Sequence, residues 1–248
     1  MNTDAPTVET NGIRVVTVIN RKGGCGKSTL VKGLASAAAD RGETVTIFDT
    51  DNNESCYQWM LNAKDQENWH PAISVIHTMD TEAIRETIDE IYAQPDQEHL
   101  ILIDTKGGGE IAHDEIAGMA HLMIAPAMLS RSDVLDTMQT LIWHQKLKKR
   151  VENPDAIPPM KVMISRCPNR RAEPEEVAYQ EIMTKMPVIA APITSRSVYT
   201  RMDLDGPLGV LRDRSINAGV AAHIGKGIDE MTTALQAIDQ IIREEGGK

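Results

Sequence analysis

Arg21-Lys22-Gly23-Gly24-Cys25-Gly26-Lys27-Ser28-Thr29 is the stretch of this 248-residue chain best suited to chemistry. Its glycines let backbone N–H groups turn inward on an anion, and a helix beginning directly behind them points its positive end at the same place. The spacing lets Lys27 reach the β- and γ-phosphates of ATP, and lets the Ser28 hydroxyl ligate Mg²⁺. The stretch therefore reads as a phosphate-binding loop. Three carboxylates complete the set. Asp49 and Asp51 end one apolar run, and Asp104 ends another and is expected to hold the Mg²⁺.

Such groups need strands and helices to present them. The β-branched run 13–20 leads into the loop and 30–40 reads as the helix behind it, stopped by Arg41-Gly42. Further apolar runs predict strands over 44–50, 73–77, 99–105, 121–126, 161–165 and 188–192. Helices are expected over 52–61, 81–92, 174–185 and 217–245, with a long one capped by Ser130 and reaching Arg150. Alternation of this kind specifies an α/β fold: a doubly wound, mostly parallel sheet with helices on both faces. Acids at strand tips beside the loop then face the crevice where open α/β sheets bind ligands.

The loop departs from the ordinary G-x-x-x-x-G-K-S/T pattern, since Arg21 replaces the first glycine and Lys22 adds a second lysine. Lys22-Gly-Gly-Cys-Gly-Lys27-Ser resembles the deviant Walker A motif of the ParA/MinD ATPases, a resemblance that runs from Ile13 onward. It implies a P-loop NTPase fold and a homodimer that sandwiches ATP, with Lys22 reaching the nucleotide of the other subunit. It implies that Asp51 places the attacking water, that Asp49 lies near the metal and that Asp104 is the Walker B carboxylate. A helix N-cap is the alternative for Asp49 and Asp51. Where many members continue Pro-Gln-Gly after the first acid pair, this chain has Asn52-Asn53-Glu54.

The resemblance also places Arg166 and Pro192 at the adenine base, and Arg196 and Arg214 as candidates for non-specific DNA contact. For Arg196 a capping or bridging role is the alternative. Asp104-Thr105-Lys106-Gly107-Gly108 is similar to the ParA relatives that assist conjugal T-DNA transfer in the Vir system. The Gly107 to Gly109 run reads as a mobile switch, or simply as a strand-to-helix turn.

Residues 1–12 read as a loose polar tail and 13–248 as one ATPase domain. Three scattered cysteines argue for reduced thiols in the cytoplasm and provide no iron–sulfur ligand set. No long apolar run predicts a membrane span, and the C-terminal residues are not a basic amphipathic anchor. Net charge −10 and 3% aromatic residues exclude an RNA-stacking module and leave any DNA contact to a local patch. Lys146-Leu-Lys-Lys-Arg150 is one such cluster, although helix dipoles also favour cations there.

The implied activity is slow, partner-stimulated ATP hydrolysis that partitions or positions a cargo, a plasmid in the first reading, with a ParB-like adaptor. An accessory ATPase of conjugal transfer that recruits a relaxase is the second reading. A positioning factor for a protein cluster is the third. The ATP state would associate with the nucleoid, and no membrane partner is expected.

Overall fold

The computed structural model describes residues 12–94, 97–107 and 111–245. The apolar runs form strands β1 (Ile13–Val18), β2 (Thr44–Thr50), β3 (Ile73–His77), β4 (His99–Thr105), β5 (Leu122–Ala127) and β6 (Met160–Ile164). The first helices are α1 (Lys27–Asp40), α2 (Ser55–Asp65), α3 (Thr81–Tyr92), α4 (Ile111–Ala117) and α5 (Arg131–Arg150). They are followed by α6 (Glu173–Lys185), α7 (Ser197–Asp205), α8 (Leu208–Asp213) and α9 (Ala218–Glu245). The strands lie in the order β3-β2-β4-β1-β5-β6, and all their pairings are parallel.

A parallel sheet buries both faces, and the period of two along a strand decides which side chain faces which layer. On β1, Val16 and Val18 join the core made with α1 and α9, whereas Ile13 and Val15 join the one made with α3 and α4. Leu100 and Leu102 of β4 face the first core, and Ile101 and Ile103 the second. Helices α5 and α6 cover β5 and β6 on that second side. The chain winds from β1 toward the β3 edge and, after β4, crosses to the β6 edge. The carboxyl end of β1 therefore marks the switch point where a ligand crevice opens.

The expected strand over 188–192 is not formed. Val188 and Thr194 make only isolated bridges to Val162 and Cys167. Pro187 and Pro192 have no N–H to donate, and the Ala191 N–H turns back to its own chain at the Ile189 carbonyl (2.8 Å), so no continuous ladder develops. Helix α2 begins at Ser55 and not at Asn52 because Glu54 adopts a left-handed φ of 52°. Pro95, which follows α3, lies outside the described residues.

Trp59 is 2% exposed, donates its indole N–H to the Met202 carbonyl (2.8 Å) and stands edge-on to Trp69. It locks α2 to α7. Gly206, just past α7, has φ 124° and ψ −171°, a conformation essentially reserved for glycine. A Cβ there would sit 2.9 Å from the Asn68 carbonyl oxygen. Gly206→Ala is expected to cost about 2–3 kcal/mol of stability, measured as a lowered urea midpoint; an unchanged midpoint would refute this account of the α7 terminus.

Candidate functional site

The loop after β1 is held from outside by Asn20, which donates to the Pro126 carbonyl (2.8 Å) and accepts the Lys22 N–H (3.1 Å). The Ser165 hydroxyl donates to the Cys25 carbonyl (2.8 Å), tying the loop to the end of β6. Cys25 is buried, its thiol donates to the Lys22 carbonyl, and burial raises its pKa. Gly26 takes φ 97° at the start of α1, and no side chain caps the helix there. The first amides of α1 thus face the crevice, the arrangement that binds phosphate.

Lys27 and Lys22 divide two tasks. Lys27 is 6% exposed and its ammonium spans the loop to the Lys22 carbonyl (3.2 Å). The Lys22 ammonium leaves the loop altogether and rests on Asp133 (3.0 Å) and Ser132 (2.9 Å) at the start of α5. Of the two lysines, only Lys27 lies within the loop's own cradle.

Strand register brings the carboxylates together, since Asp104 lies beside both Val18 of β1 and Asp49 of β2. Both acids are fully buried. Asp49 accepts the backbone N–H groups of Cys56 (2.8 Å), Tyr57 (3.0 Å) and Asp51 (3.2 Å), so it anchors the start of α2 as a cap would. Asp104 accepts the Cys56 thiol at Oδ2 (3.3 Å), and its Oδ1 has no hydrogen-bond partner. Burial pushes the Asp104 pKa up to about 6, with the Asp49 charge adding to the rise and the facing Ser28 hydroxyl opposing it.

An unpartnered buried carboxylate oxygen, a second buried acid and a facing hydroxyl are hard oxygen donors that fit Mg²⁺. Among the described residues no three His, Cys, Asp or Glu side chains form a self-contained metal cage. That suits Mg²⁺, which commonly takes few protein ligands together with phosphate oxygens. Ser28 and Asp104 are the residues that would hold it.

Asp51 accepts the Asn53 N–H (3.0 Å) in a tight turn, so its carboxylate is held at the rim of a crevice of about 470 Å³. Lys27, Ser28, Lys106 and Gly107 line the same crevice. Gly108, Gly109 and Glu110 lie outside the described residues. Gly26, Thr29, Arg166 and Asp203 also line a second cavity of about 420 Å³, which extends the crevice toward residues 193–196 and α7. Of the two residues expected at the base, Arg166 lines both cavities and Pro192 lines neither; Ile193 to Arg196 line the second.

Glu230 of α9 organises this second cavity, and sequence reasoning passed it over. It accepts the Thr194 N–H (3.2 Å) and hydroxyl (2.7 Å), pairs with Arg196 (3.4 Å) and accepts the Tyr199 hydroxyl. Burial and that carboxylate drive the Tyr199 pKa upward, keeping the phenol a donor. Arg196 is thus bridged into the cavity wall, and Arg214 is exposed, donating to the Asn68 side chain (3.0 Å). Lys32, buried in α1, pairs with Asp203 and donates to Ser55 (3.1 Å), joining α7 to the start of α2. A lysine inside the apolar run 30–35 was the available signal for that tie.

The profile of the VirC1 protein family matches residues 13–244. Protein virC1 of Rhizobium radiobacter is 28% identical over 196 residues, covering 79% of this chain and 83% of the relative. Among solved structures, the septum site-determining protein MinD of Pyrococcus horikoshii in complex with Mg-ADP superposes with a TM-score of 0.62 at 16% identity, covering 93% of this chain and 98% of that one. A plasmid partition protein of Borrelia burgdorferi bound to AMPPNP gives 0.60 at 12% identity, covering 88% and 97%. At these identities the structures establish a shared P-loop NTPase fold of the MinD/ParA type.

Proposed function

Because the chain belongs to the VirC1 protein family, we propose that it is an ATP-driven dimerisation switch acting on DNA during conjugal transfer. The observation that supports this most is the division between the two lysines. Lys27 stays in its own cradle, while the Lys22 ammonium is carried on a rim where a second subunit can meet it. In the ATP state two subunits face each other through their loops, and Lys22 of the partner subunit completes each site.

Hydrolysis then needs positioning and charge neutralisation more than covalent chemistry. Asp51 orients a water in line with the γ-phosphorus. The water oxygen bonds to phosphorus as the bond to the β-γ bridging oxygen breaks, giving ADP and phosphate. Lys27 and the partner's Lys22 stabilise the charge that builds on the phosphoryl oxygens. Mg²⁺ held by Ser28 and Asp104 would neutralise further phosphate charge. The base would lie in the cavity beside Arg166 and residues 193–196.

Membership of the VirC1 family favours the accessory role in conjugal T-DNA transfer, with a relaxase as partner. Plasmid partition through a ParB-like adaptor is the second reading, favoured by the fold shared with the Borrelia burgdorferi partition protein. No helix among the described residues is long and apolar enough to cross a membrane. Duplex DNA binding measured with ATP, with ADP and with neither, across a salt series, tests the switch. Salt-sensitive binding confined to the ATP state is expected; binding indifferent to nucleotide, or none, would refute it.

A further inference from the structure

Beside the crevice, one surface runs against the charge of the molecule. A groove of about 500 Å³ follows α5 and is lined by Arg21, Ile142, Trp143, Lys146, Lys149 and Arg150, in a chain of net charge −10. A helix dipole accounts for cations in the last turn of α5. It does not account for Lys146, one turn earlier, or for Arg21, which comes from a different element. The Arg21 N–H donates to the Thr140 hydroxyl (3.3 Å), which sets this arginine beside the middle of α5. Among the described residues no acid pairs with Arg21, Lys146 or Lys149, whereas Arg150 is held by Asp114 (2.8 Å). Asp114 also accepts the Trp143 indole N–H (3.0 Å), so one carboxylate fixes both the aromatic and the cation at that end.

The geometry points to this groove as a binding site for single-stranded DNA, beside the nucleotide crevice with which it shares Arg21. From the level of Thr140 to Arg150 the cations are spread over about 15 Å at 1.5 Å per residue. Exposed lysines supply sequence-indifferent phosphate contacts, and Trp143, half-buried against the β5–β6 core, lines the groove beside them as the aromatic that such single-strand tracks use. A duplex exposes a convex backbone and keeps its bases stacked, so it has little use for an apolar floor in a concave groove. An amphipathic helical peptide would need several apolar anchors along its length, and here only Ile142 and Trp143 offer apolar surface.

The test uses the full chain without nucleotide and a short fluorescein-labelled oligothymidylate, followed by anisotropy across a salt series. A Lys146→Gln/Lys149→Gln variant changes two exposed residues outside the nucleotide site. Wild type is expected to bind. The double variant should bind about tenfold or more weakly at low salt, with a log–log salt slope shallower by about 1.4, given ~0.7 per phosphate contact on a single strand. Its ATP binding should be unchanged, which shows that it is folded. Absence of binding by wild type, or undiminished binding by the variant, would overturn the assignment. Equal affinity for a duplex with the same loss of slope would make this a duplex surface. Displacement by polyglutamate at matched charge would make it a site for an acidic protein.

Discussion

Lys22→Ala protein should bind ATP within a fewfold of wild type and hydrolyse it about a hundredfold more slowly, the scale of losing one positioned charge stabiliser. Binding survives because the loop uses the backbone of Lys22 and not its side chain. The Lys22 carbonyl accepts Lys27 and the Cys25 thiol, and its N–H donates to Asn20, all of which alanine retains. In the proposed switch, turnover falls because the ammonium serves the other subunit. Single-turnover hydrolysis, with nucleotide binding measured separately, separates the two effects. Wild-type turnover by Lys22→Ala would mean that one subunit holds all the machinery it needs.

Asp104→Asn is expected to raise the stability of the nucleotide-free protein while abolishing Mg²⁺-dependent hydrolysis. Burial lifts this carboxyl from 3.8 to about 6. Between those values the folded protein binds more protons than the unfolded chain, so stability falls as pH rises through the window. The penalty is complete above it. About two units at 1.36 kcal/mol each set an upper estimate of about 3 kcal/mol at neutral pH. Asparagine removes the charge with little change in shape, so its advantage should be largest at neutral pH and vanish below about pH 4. Denaturant unfolding at both pH values checks the sign. A gain that persists at acid pH would assign the effect to packing and not to charge. A stability cost of this kind is the trade-off that the proposed Mg²⁺ site would carry.

The loop and the strands around it were legible because each is a local pattern. Glycines, two lysines and Ser28 follow an apolar run directly, and β1, β2 and β4 are β-branched, the last two ending in acids. The Vir-system resemblance, carried by Asp104 to Gly108, agrees with the family profile. What escaped depends on contacts between distant residues. Helices α7 and α8 are too short for a helical period to be read, and Pro207 and Gly209 interrupt the pattern. Residues 188–192 have strand composition, yet their flanking prolines deny them a ladder.

Glu230 looks like an ordinary surface acid of α9 until residues 194–199 fold back onto it. The roles of Arg196 and Asp49 hinge on such contacts too. The first is bridged to Glu230, and the second accepts amides at the start of α2. A cap for Asp49 and a bridge for Arg196 were the alternatives read from sequence, but local sequence does not name the partners. Trp143 likewise gains meaning only when the loop carries Arg21 to the flank of α5.

Whether ATP joins two subunits through their phosphate loops is decided by the mass of Asp51→Ala protein in saturating ATP and Mg²⁺. Without the carboxylate that places the water, hydrolysis should stall with the nucleotide still bound. Sedimentation should then report a dimer in ATP and a monomer in ADP. A protein that binds ATP yet remains monomeric would contradict the account.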